Sequence, residues 1–329
     1  MVRKLIVKIL RLPIIRNLIR FTKEVRIPGF DGLPLYDVAA FFIKGLQNGW
    51  IGLRASAVAF NFILAIFPAI IFVFTLIAYI PIDGFQEQLL GLMEVLLPES
   101  VFASVNETFQ DIITKERGGL LSVTVISALY FSTNGLHTLI DSFNTTFHTI
   151  ESRPYFVQRA ISILLTLILT MFTFVAIALI IFGQVGMDLI KEQGWIEDSL
   201  VTFSLNIARW IIILSLLFFA ISVLYFLGPA KQTKWRFFSA GSTLATVLVL
   251  ATSVGFSYFV ENFGQYNKLY GSIGTLVIVM LWTYFNSIAL LIGFELNASI
   301  EDAKLRDMKL NERTLDISLE EEIEKGSQK

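Results

Sequence analysis

Residues 160–182 read AISILLTLILTMFTFVAIALIIF, a run without a single Lys, Arg, Asp or Glu. A helix needs roughly 20 mostly apolar residues to cross a hydrocarbon layer about 30 Å thick, so this stretch is long enough to span a bilayer. Five other runs share its character, at 55–80, 120–140, 210–227, 237–260 and 271–294, and none contains a charged residue. In lipid every backbone N–H and C=O must find its partner within the segment, so runs of this length are helices and not the alternating strands of a barrel. The expected fold is therefore all-α: a polytopic membrane protein whose six transmembrane helices form a bundle.

Composition agrees. The 329 residues are 55% hydrophobic and 16% charged, against about a quarter charged in soluble chains. A net charge of -1 supplies no basic field, so no nucleic-acid partner is expected. The absence of cysteine excludes a disulfide, a thiolate metal site and a cysteine nucleophile.

Orientation follows from the positive charges, because Lys- and Arg-rich loops stay cytoplasmic. The N-terminal region, the 142–159 and 228–236 connections and the tail carry 21 of them, whereas the opposite loops carry Lys115, Arg117, Lys191 and Lys268. Both termini are expected to be cytoplasmic.

Three regions result: a basic, amphipathic N-terminal region (1–54), the six-span domain (55–297) and a charged cytoplasmic tail (298–329). In MVRKLIVKILRLPIIRNLIRF, Lys4, Lys8 and Arg11 share one helical face and Leu5, Ile9 and Leu12 the other. That pattern suits a helix lying among anionic lipid headgroups. Pro28, Gly29, Gly32 and Pro34 break the chain before a second amphipathic segment, YDVAAFFIKGLQNGWIGL. In the outer loop, 81–118, Phe85, Leu89, Leu92, Met93 and Leu96 recur at helical spacing, as do Val101, Val105, Phe109, Ile112 and Ile113 after Pro98. Two short helices capping the outer face are expected there. The tail, ending LEEEIEKGSQK, reads as helical at first and then disordered.

Polar residues inside the spans are the candidate functional positions, because charge in lipid is costly and marks pathways or pairs. In YFSTNGLHTLIDSFNTTFHTIESRP (130–154), Asn134, His137, Asp141, Asn144 and His148 fall on one helical face. At about 1.5 Å per residue from Leu120, Asp141 lies roughly 31 Å along, near the inner boundary. Arg54 and Glu295 fall at the same level, so Arg54 is expected to pair with Glu295 or with Asp141. The alternative is a solvated, cytoplasm-facing vestibule built from Arg54, Asn61, Asn134, His137, Asp141 and Glu295. Pro68 should kink the first span or loosen its ladder.

Covalent chemistry has little support. Two histidines eleven positions apart form no metal cluster, and neither a GxxxxGK[ST] loop nor a GxSxG elbow is present. No catalytic residue, metal or cofactor is expected.

Three blocks resemble the YihY/BrkB family of membrane proteins, long labelled ribonuclease BN-like. They are SAVAFNFILAIFPAIIF, with Phe67 and Pro68; the second-span block, with Gly135, Leu139, Ile140, Asn144, Arg153 and Pro154; and YNKLYGSIGTLVIVMLWTYFNSIALLIGFELNA, with Tyr270, Gly271, Ser272, Trp282, Gly293, Glu295 and Asn297. The resemblance covers about residues 40 to 300 and implies a six-span inner-membrane protein suspected in export of envelope lipid or solute. Combined with the residues themselves, it makes a transporter or exporter of a lipid-like or small polar solute the leading expectation. The alternative is a non-transporting scaffold that recruits cytosolic proteins through its basic N-terminus and acidic tail. A membrane-associated ribonuclease is disfavoured.

Overall fold

A chain in hydrocarbon must satisfy its own backbone hydrogen bonds, and every described apolar run of this one is helical. The computed structural model describes residues 20–77, 118–146, 153–192, 199–230, 238–262 and 272–327. Its helices are α1 (Leu35–Asn48), α2 (Ile51–Ile77), α3 (Gly118–Asn144), α4 (Tyr155–Glu192), α5 (Ser199–Leu227), α6 (Ala240–Asn262) and α7 (Ser272–Ser327). Among the described residues an isolated bridge joins Arg26 and Pro34, and no strand is formed. The N-terminal interfacial helix, the outer-loop helices, His148, Tyr270 and Gly271 lie outside the described residues.

Among the described residues five helices are long and apolar enough to cross a membrane: α2 over Ile51–Pro68, α4 over Tyr155–Ile180, α5 over Phe203–Leu227, α6 over Ala240–Val260 and α7 over Leu276–Leu310. The sixth expected span falls in α3, whose 27 residues reach about 40 Å. Its later half carries Ser132, Thr133, Asn134 and His137. Pro68 lies inside α2, which continues past it to Ile77.

Two boundaries differ from expectation. Helix α5 begins at Ser199 and not near residue 210, and α7 runs as one 56-residue helix to Ser327, where the tail is expected to be helical only at its start. No Gly or Pro occurs between Gly293 and Gly326, and the intervening Leu, Lys, Glu and Arg are good helix formers. Packing also supports the first turns of this extension. Ile300 and Ala303 are buried with Phe30, Leu33, Val38 and Leu296 in a second small core between α7, α1 and the turn before α1. That turn uses left-handed backbone at Gly29 (φ 94°), Asp31 (φ 56°) and Gly32 (φ 77°), and Asp31 receives Lys304 Nζ at 3.0 Å.

The bundle is stitched most extensively between α2 and α3 and between α6 and α7, and α7 touches α1, α2, α3 and α6. The main core gathers where α3 and α5 end and α2, α4 and α6 begin. Val58, Leu139, Ile140, Phe143, Leu165, Leu224 and Leu291 are buried there. Phe143 stacks on Phe294 at 4.3 Å and meets Tyr225 edge-on at 5.5 Å. Away from this end, Met171, Phe174, Ile211 and Val254 expose apolar side chains, as surfaces facing lipid do.

Apolar contact gains little between helices in lipid, so close backbone approach does more of the holding. Helices α6 and α7 cross at Gly241 and Gly293. A Cβ on Gly241 would overlap the Gly293 carbonyl oxygen, and one on Gly293 would lie 2.6 Å from Ala245 Cβ and 2.7 Å from the Tyr225 hydroxyl. Gly293→Ala should therefore lower stability by about 1–3 kcal/mol through overpacking. Thermal unfolding in detergent checks this, with an unchanged melting temperature counting against so tight a crossing.

Candidate functional site

The polar residues of the spans form two neighbouring groups, both touching α3. The first surrounds Arg54 at the start of α2. Its Nη1 lies 3.9 Å from Glu295 Oε2 on α7 and donates to the Gly49 carbonyl at 2.8 Å, while Nη2 donates to the Ser142 carbonyl on α3. Glu295 is fully buried and Arg54 is nearly so. Of the two partners expected for Arg54, the structure supplies Glu295, and Asp141 turns elsewhere. The carboxylate fits against α1 only because residue 45 is glycine, since any Cβ there would overlap Glu295 Oε1. The tight turn from α1 into α2 places Trp50 at φ 50°, with its ring largely exposed, as suits an aromatic at a membrane interface.

The second group is a polar seam where α3 meets α4 and α2. Asn134 Nδ2 donates to Asn61 Oδ1 on α2. His137 lies with Nδ1 3.4 Å from Ser162 Oγ, Nε2 3.7 Å from Asp141 Oδ2, and its ring edge-on to Tyr155. Asp141 Oδ1 accepts from Gln158 Nε2. Arg159 reaches Asn134 Oδ1 at 3.5 Å and the Tyr130 carbonyl at 3.1 Å, with its guanidinium 4.6 Å above the Tyr130 ring. The seam opens outward at Asp141, whose side chain is 56% exposed, and closes toward His137, at 15%.

The six candidate vestibule residues are thus divided. Arg54 and Glu295 form one group; Asn61, Asn134, His137 and Asp141 form the other. Sequence reasoning misses the α4 half of the seam, because Gln158 and Arg159 fall in the 142–159 connection ahead of the apolar run. Their signal was present in the spacing of Tyr155, Gln158, Arg159 and Ser162, which places them along one side of a helix entering the longest apolar run.

Several residues singled out by family resemblance tie helix ends. Arg153 donates to the carbonyls of Leu227 (3.2 Å), Gly228 (3.1 Å) and Pro229, closing the end of α5, where unsatisfied carbonyls favour a cation. Burial there lowers its pKa from the ordinary arginine value. Asn144 Oδ1 accepts from Ala230 N–H, and Pro154 immediately precedes α4. Asn297 holds the other connection, accepting from Gly241 N–H at 2.8 Å and donating to Ser239 Oγ at 3.0 Å. Ser272 begins α7, and Trp282 is partly exposed on it.

Among the described residues no three His, Asp or Glu side chains converge as a metal site. The arrangement can bind polar or charged groups at the seam and bury one ion pair beside it. These features define an integral membrane protein of several apolar helices, knit together at one end and carrying a polar seam near that end. The chain belongs to the BrkB family: the family model described as Virulence factor BrkB matches residues 42–315. It is 31% identical to the ribonuclease-like protein YfkH of Bacillus subtilis (strain 168), over 76% of this chain and 90% of that one. It is 23% identical to a UPF0761 membrane protein of Aggregatibacter aphrophilus (77% and 88% covered) and 22% identical to one of Tolumonas auensis (81% and 86%). No solved structure matches.

Removing one partner of a buried ion pair costs about 3–5 kcal/mol, whereas replacing both with apolar groups of similar size is often close to neutral. Arg54→Ala and Glu295→Ala should each sharply reduce folded protein recovered from membranes, and the double change Arg54→Met with Glu295→Leu should recover more than either. Quantitative fluorescence-detected size exclusion reads this, and unaltered yield in both single variants would show that the pair does not hold the bundle.

Proposed function

We propose that this membrane protein of the BrkB family moves a lipid-like or small polar solute across the bacterial inner membrane, using the seam between α3 and α4 as its polar surface. The observation that carries the reading is the continuous row from exposed Asp141 through His137, Arg159 and Asn134 to Asn61, on a helix whose earlier part is apolar. A helix in lipid gains nothing from such a row unless it is paired or meets water or a polar ligand, and the row is paired across three helices while its mouth is open.

The distribution of positive charges supports cytoplasmic termini and a mouth at Asp141 that faces the cytosol. The basic N-terminal region then rests on anionic headgroups. With no phosphate-binding loop in the sequence, flux is facilitated, ion-coupled or driven through a partner. A scaffold is the second reading. It is favoured by α7, whose helix continues about 45 Å beyond Asn297 and is rich in acidic residues. In that case the seam is only interhelical glue.

Transport in reconstituted vesicles separates the two. Wild-type protein should give flux of a lipid or polar solute that falls about tenfold or more in Asp141→Asn, whereas background flux for both proteins across a broad panel supports the scaffold. The ribonuclease-like name of the Bacillus subtilis relative leads to a further expectation. Purified protein with added divalent metal should leave RNA intact, and cleavage abolished by a seam substitution would reverse the assignment.

A further inference from the structure

We infer that Arg159 is the binding point for the phosphate group of an anionic lipid that enters the α3–α4 seam sideways from the membrane. This deepens the transport reading by naming the chemical class of the solute, and it rests on that reading only for the step of movement.

The argument begins with charge. Arg54 faces the Glu295 carboxylate, and Arg153 faces three carbonyls at the end of α5. Arg159 has one carbonyl, one amide oxygen at the limit of hydrogen bonding and the face of one ring. The nearest seam carboxylate, Asp141, is engaged by Gln158 and His137. Among the described residues no carboxylate lies within ion-pair distance of Arg159. Its five N–H donors are therefore underused, in a helix apolar enough to span a membrane.

Direction strengthens the point. A long cationic side chain near the end of a membrane helix normally turns back toward the interface. Helices α3 and α4 pair Gln158 with Asp141 and Ser162 with His137, so the Arg159 backbone sits level with about residue 140 of α3. Its guanidinium instead reaches Asn134, roughly 9 Å further from the helix ends at 1.5 Å per residue. The chain thus holds a cation inward of its own backbone, where an anion has not been supplied by the described protein.

Exposure says from which side the anion comes. One turn before and one turn after Arg159, Tyr155 is 59% and Ile163 46% exposed, and Phe156 is 84% exposed. Across the seam Ile126 and Tyr130 are also exposed. Arg159 therefore lies on an outward, apolar face suited to acyl chains, with its charge at the edge of the polar row. A guanidinium presents paired donors matched to phosphate oxygens. A phosphate ester with acyl chains satisfies both surfaces, whereas free phosphate satisfies only the first.

The test titrates the full-length protein in neutral maltoside micelles with dioctanoyl phosphatidic acid, with dioctanoylglycerol and with inorganic phosphate. Phosphatidic acid should bind at least about tenfold more tightly than either. Arg159→Gln should weaken it by about tenfold or more, and Arg159→Lys by less. Asn134→Asp, which sets a carboxylate beside the guanidinium, should weaken it too and keeps the test open if Arg159→Gln fails to fold. Unchanged affinity in the folded Arg159→Gln protein, or equal binding of dioctanoylglycerol, overturns the inference. Inorganic phosphate binding as tightly as the lipid overturns the lipid assignment. A protein that binds phosphatidic acid through Arg159 yet shows no flux retains this site and loses the transport reading; flux with no dependence of lipid affinity on Arg159 has the opposite meaning.

Discussion

The rest of the bundle depends on a carboxylate that no solvent reaches. Glu295 is fully buried, and moving such a group out of water carries a penalty of several kcal/mol that only close, well-directed donors offset. Arg54 provides the charge at 3.9 Å, and its two terminal nitrogens donate to the carbonyls of Gly49 and Ser142. One guanidinium therefore fixes the turn between α1 and α2, the last turn of α3 and the middle of α7. Gly45 completes the arrangement by its missing side chain, which lets α1 lie against the carboxylate. Phe294, next to Glu295 in sequence, stacks on Phe143, next to Ser142. The aromatic core and the ion pair consequently position each other.

Around this point the helix ends are joined by polar side chains more than by apolar contact. Arg153 and Asn144 hold the end of α5 and the residues after it; Asn297 and Ser239 hold the start of α6; Gly241 and Gly293 allow α6 and α7 to touch backbone to backbone. Such ties suit a protein in hydrocarbon, where the apolar contacts that organise a soluble core provide little net drive between helices. One end of the bundle is therefore closely knit, while described parts of α4, α5 and α6 away from it present their apolar faces outward.

Much of this was legible in the sequence because hydropathy and length are local properties. Each of the six apolar runs lies in or overlaps a described helix, and five of those helices are long and apolar enough to span. The level of Arg54 with Glu295 followed from counting the rise per residue. Other features were hidden for physical reasons. The end of α7 could not be read from loss of hydropathy, because a helix leaving the membrane changes its surface without changing its backbone. Gln158 and Arg159 stood before the apolar run and looked like loop residues, although α4 already begins at Tyr155. The roles of Asn144, Arg153 and Asn297 depend on backbone groups far away in sequence, which no periodicity reveals. The division of the candidate vestibule into an ion pair and a separate seam required the third dimension.

The ties at the helix ends and the residues of the seam differ in one respect that bears on function. Arg153 bonds to three backbone carbonyls at one connection, and Asn297 bonds to the Gly241 N–H and to Ser239 Oγ at another. In the seam, Asn134 bonds to Asn61, Gln158 to Asp141 and His137 faces Ser162 across helices, while Arg159 also holds the Tyr130 carbonyl; the row begins at an exposed carboxylate and passes an arginine beside exposed aromatics. Side chains that pair with side chains can exchange those partners for water or a ligand at small cost, because neither loses a backbone hydrogen bond of its helix. A backbone tie at a helix end has no such freedom. The same chemistry that makes the knit end rigid thus leaves the seam as the part of the described bundle best able to admit a polar group without unfolding a helix.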